Sequence, residues 1–140
     1  MTLEKNMKYV CVPGCKLFVV LALLLITTST LAFAEVPVVN GSGLMKDITA
    51  NADILLLDVR SPAEYDKGHI PHAINIPLNL LASKIDIIKR TGKKKIVVYC
   101  LSGKRAQVAV QMLTDNQVEN VYHLEGDIRG WYSEGFPLVK

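Results

Sequence analysis

The chain has 140 residues and a net charge of +3, enough for one domain plus a targeting segment. Its first 34 residues hold Lys5, Lys8 and Lys16 against Glu4, so the rest of the chain carries only +1. That near-neutral balance excludes the strongly basic surface of a nucleic-acid-binding domain.

In chain order, the three lysines precede an apolar run from Leu17 to Ile26, then polar Thr27-Thr28-Ser29-Thr30, then Ala32-Phe33-Ala34. A basic start, an apolar core and a small-x-small end mark a secretory signal peptide cleaved after Ala34. The apolar run has 10 residues, half the roughly 20 needed to span a bilayer. The alternative is an uncleaved anchor reaching through Thr27 to Ala34. The expectation is therefore a leader over 1–34 and a domain over 35–140, periplasmic or secreted, which meets a membrane only during export. Cleavage would remove Cys11 and Cys15 and leave Cys100 without a disulfide partner in an oxidising compartment. A lone cysteine in an exported protein flags a working thiol.

Glu35 to Gly43 contains Pro37, Gly41 and Gly43 and reads as a lead-in to a short helix over Leu44 to Thr49. Asp53 to Arg60 has a continuous apolar centre, the pattern of a parallel strand covered on both faces. Ser61-Pro62-Ala63-Glu64 is a helix start, with Ser as cap, Pro first and Glu three after the cap. Gly68 ends that helix. Pro71 and Pro77 leave only Ala73 to Ile76 as a strand. Leu78 to Arg90 places Leu80, Leu81, Ile85, Ile87 and Ile88 on one amphipathic helix. Lys93-Lys94-Lys95 is a solvated turn and strand edge.

Lys95 to Tyr99 is a β-branched and aromatic run that reads as a buried parallel strand. Val108, Ala109, Met112 and Leu113 recur at helical spacing, so a helix begins between Lys104 and Gln107. Asn120 to Leu124 is the last strand; Gly126 breaks it, and Ile128 to Glu134 forms a short helix. Alternating strands and helices predict a three-layer α/β domain, its mostly parallel sheet flanked by helices on both faces. Sites in such sheets lie outside the carboxyl ends of strands.

Cys100 sits at one such end, in Tyr99-Cys100-Leu101-Ser102-Gly103-Lys104-Arg105. Backbone N–H groups in a strand-to-helix turn converge on one spot, and the helix dipole adds partial positive charge. A thiol there is stabilised as the nucleophilic thiolate, with Lys104 and Arg105 adding full positive charge. A cysteine ending a buried strand also fits a small hydrophobe without chemistry. The Gly, the two cations and the strand-to-helix position favour the reactive reading. Asp58 and Arg60 lie at another carboxyl end: Asp58 is read as supporting the loop, pairing with a cation or facing solvent, and Arg60 as meeting substrate or pairing with Glu64.

Five groups of residues carry a likeness to a known family. They are Asp58-Val59-Arg60; Glu64-Tyr65-x-x-Gly68-His69-Ile70-Pro71 with Ala73-Ile74-Asn75-Ile76-Pro77; Cys100-x-x-Gly103-x-Arg105; Leu124-x-Gly126 with Trp131; and Gly135-Phe136-Pro137. Over Leu44 to Leu138 the chain resembles a single-domain rhodanese, a thiosulfate sulfurtransferase. The resemblance implies a five-stranded parallel sheet and a persulfide on Cys100. It also implies that the backbone of Leu101, Ser102, Gly103, Lys104 and Arg105 cradles the outer sulfur. Two positions depart from the family, which often has Gly where this chain has His72 and Asp127; by sequence, neither touches the reactive loop.

The mechanism so implied is a two-step transfer. The Cys100 thiolate takes the outer sulfur of a donor such as thiosulfate, and a thiophilic acceptor, cyanide or a thiol, then removes it. No metal or cofactor is called for: His72 and His123 lack ligand spacing with Cys100, and His69 reads as a turn stabiliser. Tyr65 and Trp131 read as core. A Cys-based phosphatase or arsenate reductase is the nearest enzyme alternative, but those loops place five residues between Cys and Arg, and here there are four. A non-catalytic persulfide carrier that delivers sulfur to a partner protein is the other alternative.

Overall fold

The computed structural model describes residues 36–140. The leader expected over 1–34, with Cys11 and Cys15, lies outside the described residues. No helix among the described residues is long and apolar enough to cross a membrane.

Five strands form one sheet: β1 (Val38–Val39), β2 (Ile54–Asp58), β3 (Ile74–Asn75), β4 (Lys95–Tyr99) and β5 (Val121–Leu124). Their order across the sheet is β1-β5-β4-β2-β3, and every pairing is parallel. The longest ladder joins β2 to β4, from Ile54 opposite Lys95 to Asp58 opposite Tyr99. The carboxyl ends of these two central strands are therefore level, so residues 58–60 stand beside residues 99–100.

Strand side chains alternate between faces, and the core divides accordingly. Leu55, Leu57, Ile96 and Val98 pack against Leu81, Ile85, Ile88, Ala106, Ala109, Val110 and Leu113. Leu56, Val97 and Tyr99 pack on the other face against Leu44, Ile128 and Trp131. The first group of helices is α3 (Leu78–Leu81), α4 (Ile85–Arg90) and α5 (Lys104–Asp115); the second is α1 (Gly41–Thr49) and α6 (Asp127–Ser133). The short α2 (Pro62–Tyr65) follows β2. The three-layer α/β architecture is as expected, and the sheet is wholly parallel.

Local differences have local causes. β1 lies within the segment expected as a lead-in; it is two residues long at the sheet edge, held by His123 N–H on the Pro37 carbonyl (3.0 Å) and Glu125 N–H on that of Val39 (2.9 Å). No two-residue strand carries a periodic signal. Helix α1 starts at Gly41 and not Leu44, because the Asn40 side chain caps it by accepting from Gly43 N–H at 2.8 Å. Gly41 has no room for a side chain, since a Cβ would fall 2.8 Å from the Phe136 ring. The continuous helix expected over Leu78 to Arg90 is broken by a 3₁₀ turn at Ala82–Lys84. Ser83 Oγ donates to the Leu80 carbonyl at 2.8 Å, a local bond that competes with regular helix. Leu81, Ile85 and Ile88 still face the core on either side of the break.

Candidate active site

Cys100 follows β4 directly and is 2% exposed. Three residues on, Gly103 adopts φ +95, a conformation costly for residues with a Cβ. That turn brings Gly103 N–H to 3.2 Å from Cys100 Sγ. Helix α5 begins at once, with Gln107 N–H on the Gly103 carbonyl (2.8 Å). The sulfur thus lies at the N-terminal end of a 12-residue helix, where unpaired N–H groups and the aligned peptides concentrate positive charge. Ser102 and Lys104 are exposed, and Leu101 and Arg105 are half-buried.

Arg105, read from the sequence as positive charge for the loop, is held by a carboxylate. Its two terminal nitrogens grip Glu64, with Nη1 and Nη2 each 2.7 Å from a carboxylate oxygen. The bidentate pair, against the cost of burial, raises the Arg105 guanidinium above its ordinary range, and the nearby Cys100 sulfur raises it further. Conversely, the Arg105 guanidinium holds the Glu64 carboxyl well below the usual carboxylate range, helped by Ser61. Glu64 also completes the cap of α2: Oε2 accepts from Ser61 N–H (3.1 Å) and hydroxyl (2.7 Å), while Ser61 Oγ accepts from Glu64 N–H (3.3 Å). The capping box expected at Ser61-Pro62-Ala63-Glu64 is present, and its Glu64 also anchors Arg105 of the cysteine loop.

Asp58 does not face solvent, and Arg60 does not pair with Glu64. The two form a buried ion pair with each other. Asp58 is 0% exposed, and Arg60 Nη2 and Nε lie 2.6 and 3.0 Å from Asp58 Oδ2. Arg60 Nη2 also donates to the Gly68 carbonyl at 2.9 Å. Burial works against the Arg60 charge, but its hydrogen bonds to Asp58 leave the guanidinium above its ordinary range. Burial, then the Asp58 charge, pushes the neighbouring Tyr99 phenol up. Asn75 ties the β2 and β3 ends together by donating to the Asp58 and Arg60 carbonyls at 3.0 Å each. The pair stands beside the loop, and Arg60 also lines a groove that Glu64 borders.

His69 stacks on Tyr65 with ring centroids 3.6 Å apart, and its Nδ1 lies 3.2 Å from the Tyr65 carbonyl. Its backbone pairs with Val139. Tyr65 donates its hydroxyl to the Ala73 carbonyl (2.6 Å), and Trp131 is wholly buried. These residues hold the turn and the core. Among the described residues, no group of three His, Cys, Asp or Glu side chains is placed to hold a metal.

Sequence reasoning set Asp127 apart from the loop, and the structure corrects this. Asp127 Oδ1 accepts Cys100 N–H at 2.6 Å, and Oδ2 lies 3.1 Å from His123 Nε2. The signal in the sequence was the departure itself: an acid where the resemblance calls for Gly, four residues after a histidine. Both departures, His72 (φ +66) and Asp127 (φ +55), keep the backbone conformation that glycine favours.

Two grooves border the residues of the Glu64–Arg105 bridge. Arg105 lines one of about 560 Å³, with Val59, Pro62, Leu78 and Leu80. Glu64 lines another of about 370 Å³, with Leu101, Ile128 and Tyr132 and the cations Arg60, Lys67 and Arg129.

Residues 43–134 match the family model for the rhodanese-like domain. A sulfurtransferase of Allochromatium vinosum is 32% identical over 101 residues, covering 72% of this chain and 92% of that protein. A rhodanese-related protein of Thermoplasma volcanium has a solved structure with a TM-score of 0.65 and 36% identity, covering 74% of this chain and 97% of that one. A tRNA uridine(34) hydroxylase of Hamiltonella defensa is 34% identical over 88 residues, but the match spans only 25% of that longer protein. With nearly two thirds of its length matched to the family model, and a cysteine at the carboxyl edge of a parallel sheet, the chain belongs to the rhodanese-like domain family.

Proposed function

We propose that the chain is a sulfurtransferase that carries sulfane sulfur as a persulfide on Cys100, with thiosulfate as donor and cyanide or a thiol as acceptor. The observation that carries this reading is the 3.2 Å contact from Gly103 N–H to Cys100 Sγ at the positive end of α5. An anionic sulfur there would accept that hydrogen bond, and a second, outer sulfur would meet the remaining N–H groups of the same turn.

The Cys100 thiolate attacks the outer sulfur of thiosulfate. A new S–S bond forms, the S–S bond within the donor breaks, and sulfite leaves with its electron pair. The acceptor then attacks the outer sulfur of the persulfide, and the thiolate is restored. No proton need move in the first step, so no general base is required; the site's task is to hold anions in place. The backbone of Leu101 to Arg105 supplies donors, and Lys104, with the part of Arg105 not taken by Glu64, supplies charge. Four residues between Cys100 and Arg105 suit a single sulfur better than a tetrahedral oxyanion. The sulfurtransferase of Allochromatium vinosum, which this chain matches over most of both lengths, supports the same reaction class.

We further propose that residues 1–34 are a leader and that the domain works outside the cytoplasm. The basic, apolar and small-residue order of that segment supports this.

Incubation of the purified domain with thiosulfate should add one sulfur atom to its intact mass, and cyanide should then remove it. Failure to gain sulfur, or an equal gain on Cys100→Ser, would overturn the proposal.

A further inference from the structure

Asp127 is an acid in an unfavourable place. It is 2% exposed, and its backbone has φ +55. Glycine would take that conformation without penalty, whereas any side chain there is strained, Asp and Asn the least. A buried carboxylate also costs free energy unless hydrogen bonds compensate it. Both costs fall on one residue, so its side chain must be held by something specific.

What holds it is the reactive loop. Oδ1 accepts the Cys100 backbone N–H at 2.6 Å. Oδ2 faces Gly103, where an added Cβ would come within 3.2 Å of it. His123 Nε2, 3.1 Å away, fixes that same oxygen from β5. The next residue completes the grip, because Ile128 N–H donates to the Cys100 carbonyl at 3.2 Å. The peptide groups on both sides of Cys100 are thus fastened to the start of α6, one through a side chain and one through the backbone.

We propose that Asp127, oriented by His123, is a positioning residue for Cys100. It draws the Cys100 amide away from the sulfur cradle and fixes where Sγ stands relative to Gly103 N–H. It touches neither sulfur donor nor acceptor, so its effect lies in the geometry of the attacking sulfur. The inference rests on the sulfur-transfer reading for its catalytic consequence, and on the hydrogen bonds alone for the clamp.

The test compares wild type with Asp127→Gly, which removes the carboxylate without backbone strain, and Asp127→Asn, which keeps an acceptor oxygen for Cys100 and tolerates the same backbone. Two readouts are taken: hydrogen exchange of the Cys100 amide, and steady-state transfer from thiosulfate to cyanide. Exchange should speed up by about tenfold or more in Asp127→Gly and stay slow in Asp127→Asn, as expected for loss and retention of one strong hydrogen bond. Turnover should fall by about tenfold in Asp127→Gly, with KM for thiosulfate changed less than about threefold, and Asp127→Asn should restore most of it. Unchanged exchange in Asp127→Gly, unchanged turnover despite faster exchange, or Asp127→Asn as impaired as Asp127→Gly would each overturn the proposal. Should the wild type take no sulfur from thiosulfate, the donor assignment fails by itself, and the exchange comparison still decides the clamp.

Discussion

Cys100 is buried in the core, so only a replacement of similar volume lets chemistry rather than packing decide the outcome. Serine nearly matches cysteine in volume, but its hydroxyl is not ionised near neutral pH. Cys100→Ser is expected to lose both the sulfur mass gain and turnover down to background, while stability changes by no more than about 1 kcal/mol. Intact mass spectrometry and thermal unfolding check the two halves. Arg105 is less simple than its place in the loop suggests, because its fork is held by Glu64. Arg105→Ala should raise KM for thiosulfate about tenfold with a smaller change in turnover, as loss of uniform binding does. The double variant Arg105→Ala with Glu64→Gln separates the causes. Recovery in the double variant would assign the loss to an unpaired Glu64 carboxylate, and no recovery would assign it to the missing cation. The reactive loop was legible because strand, Gly and helix lie within a few consecutive residues. Asp127 was not, because its carboxylate reaches Cys100 only through the alignment of β5 beside β4, which no local pattern encodes.

Single elements follow the same division. The cap of α2 was readable, since Ser61 and Glu64 are three residues apart and their bonds are local. The second use of Glu64, as the partner of Arg105 on another helix, was not. That shared carboxylate gives the fold a pH dependence of known sign. Its folded-state acidity is strengthened, first by Arg105, so its contribution is complete above the unfolded value of about 4.3 and fades as pH falls below it. Glu64→Gln should therefore melt a few degrees below wild type at pH 7, with the gap closing as pH drops below about 4. A gap that stays constant down to pH 3 would show that the ionised carboxylate adds nothing. The segment Leu78 to Arg90 teaches a different lesson. Its apolar spacing located the buried face correctly, with Leu81, Ile85 and Ile88 all in the core. The 3₁₀ turn within it leaves no mark on the pattern, because a change of winding hardly disturbs that spacing.

At the scale of the whole molecule, the layers and the parallel sheet were legible from alternating apolar strands and amphipathic helices. The edge strand β1 was not, being defined by its neighbour more than by its own two valines. If the proposed leader is removed after Ala34, N-terminal sequencing of the mature protein should begin at Glu35. Recovery of Leu17 to Ile26 in a membrane fraction would instead mark a retained anchor. The strand order β1-β5-β4-β2-β3 has a consequence for the order of synthesis. Among the described residues, a chain delivered from its N-terminus presents Val38 and Val39 early, yet β5, the strand they pair with, comes last of the strands. Pairings so distant in sequence form late. Asp127 and Ile128, which fasten the Cys100 peptides, emerge later still. A chain that has emerged only as far as α5 therefore already contains the thiol, while the two hydrogen bonds that fasten its peptide groups wait for residues 127 and 128.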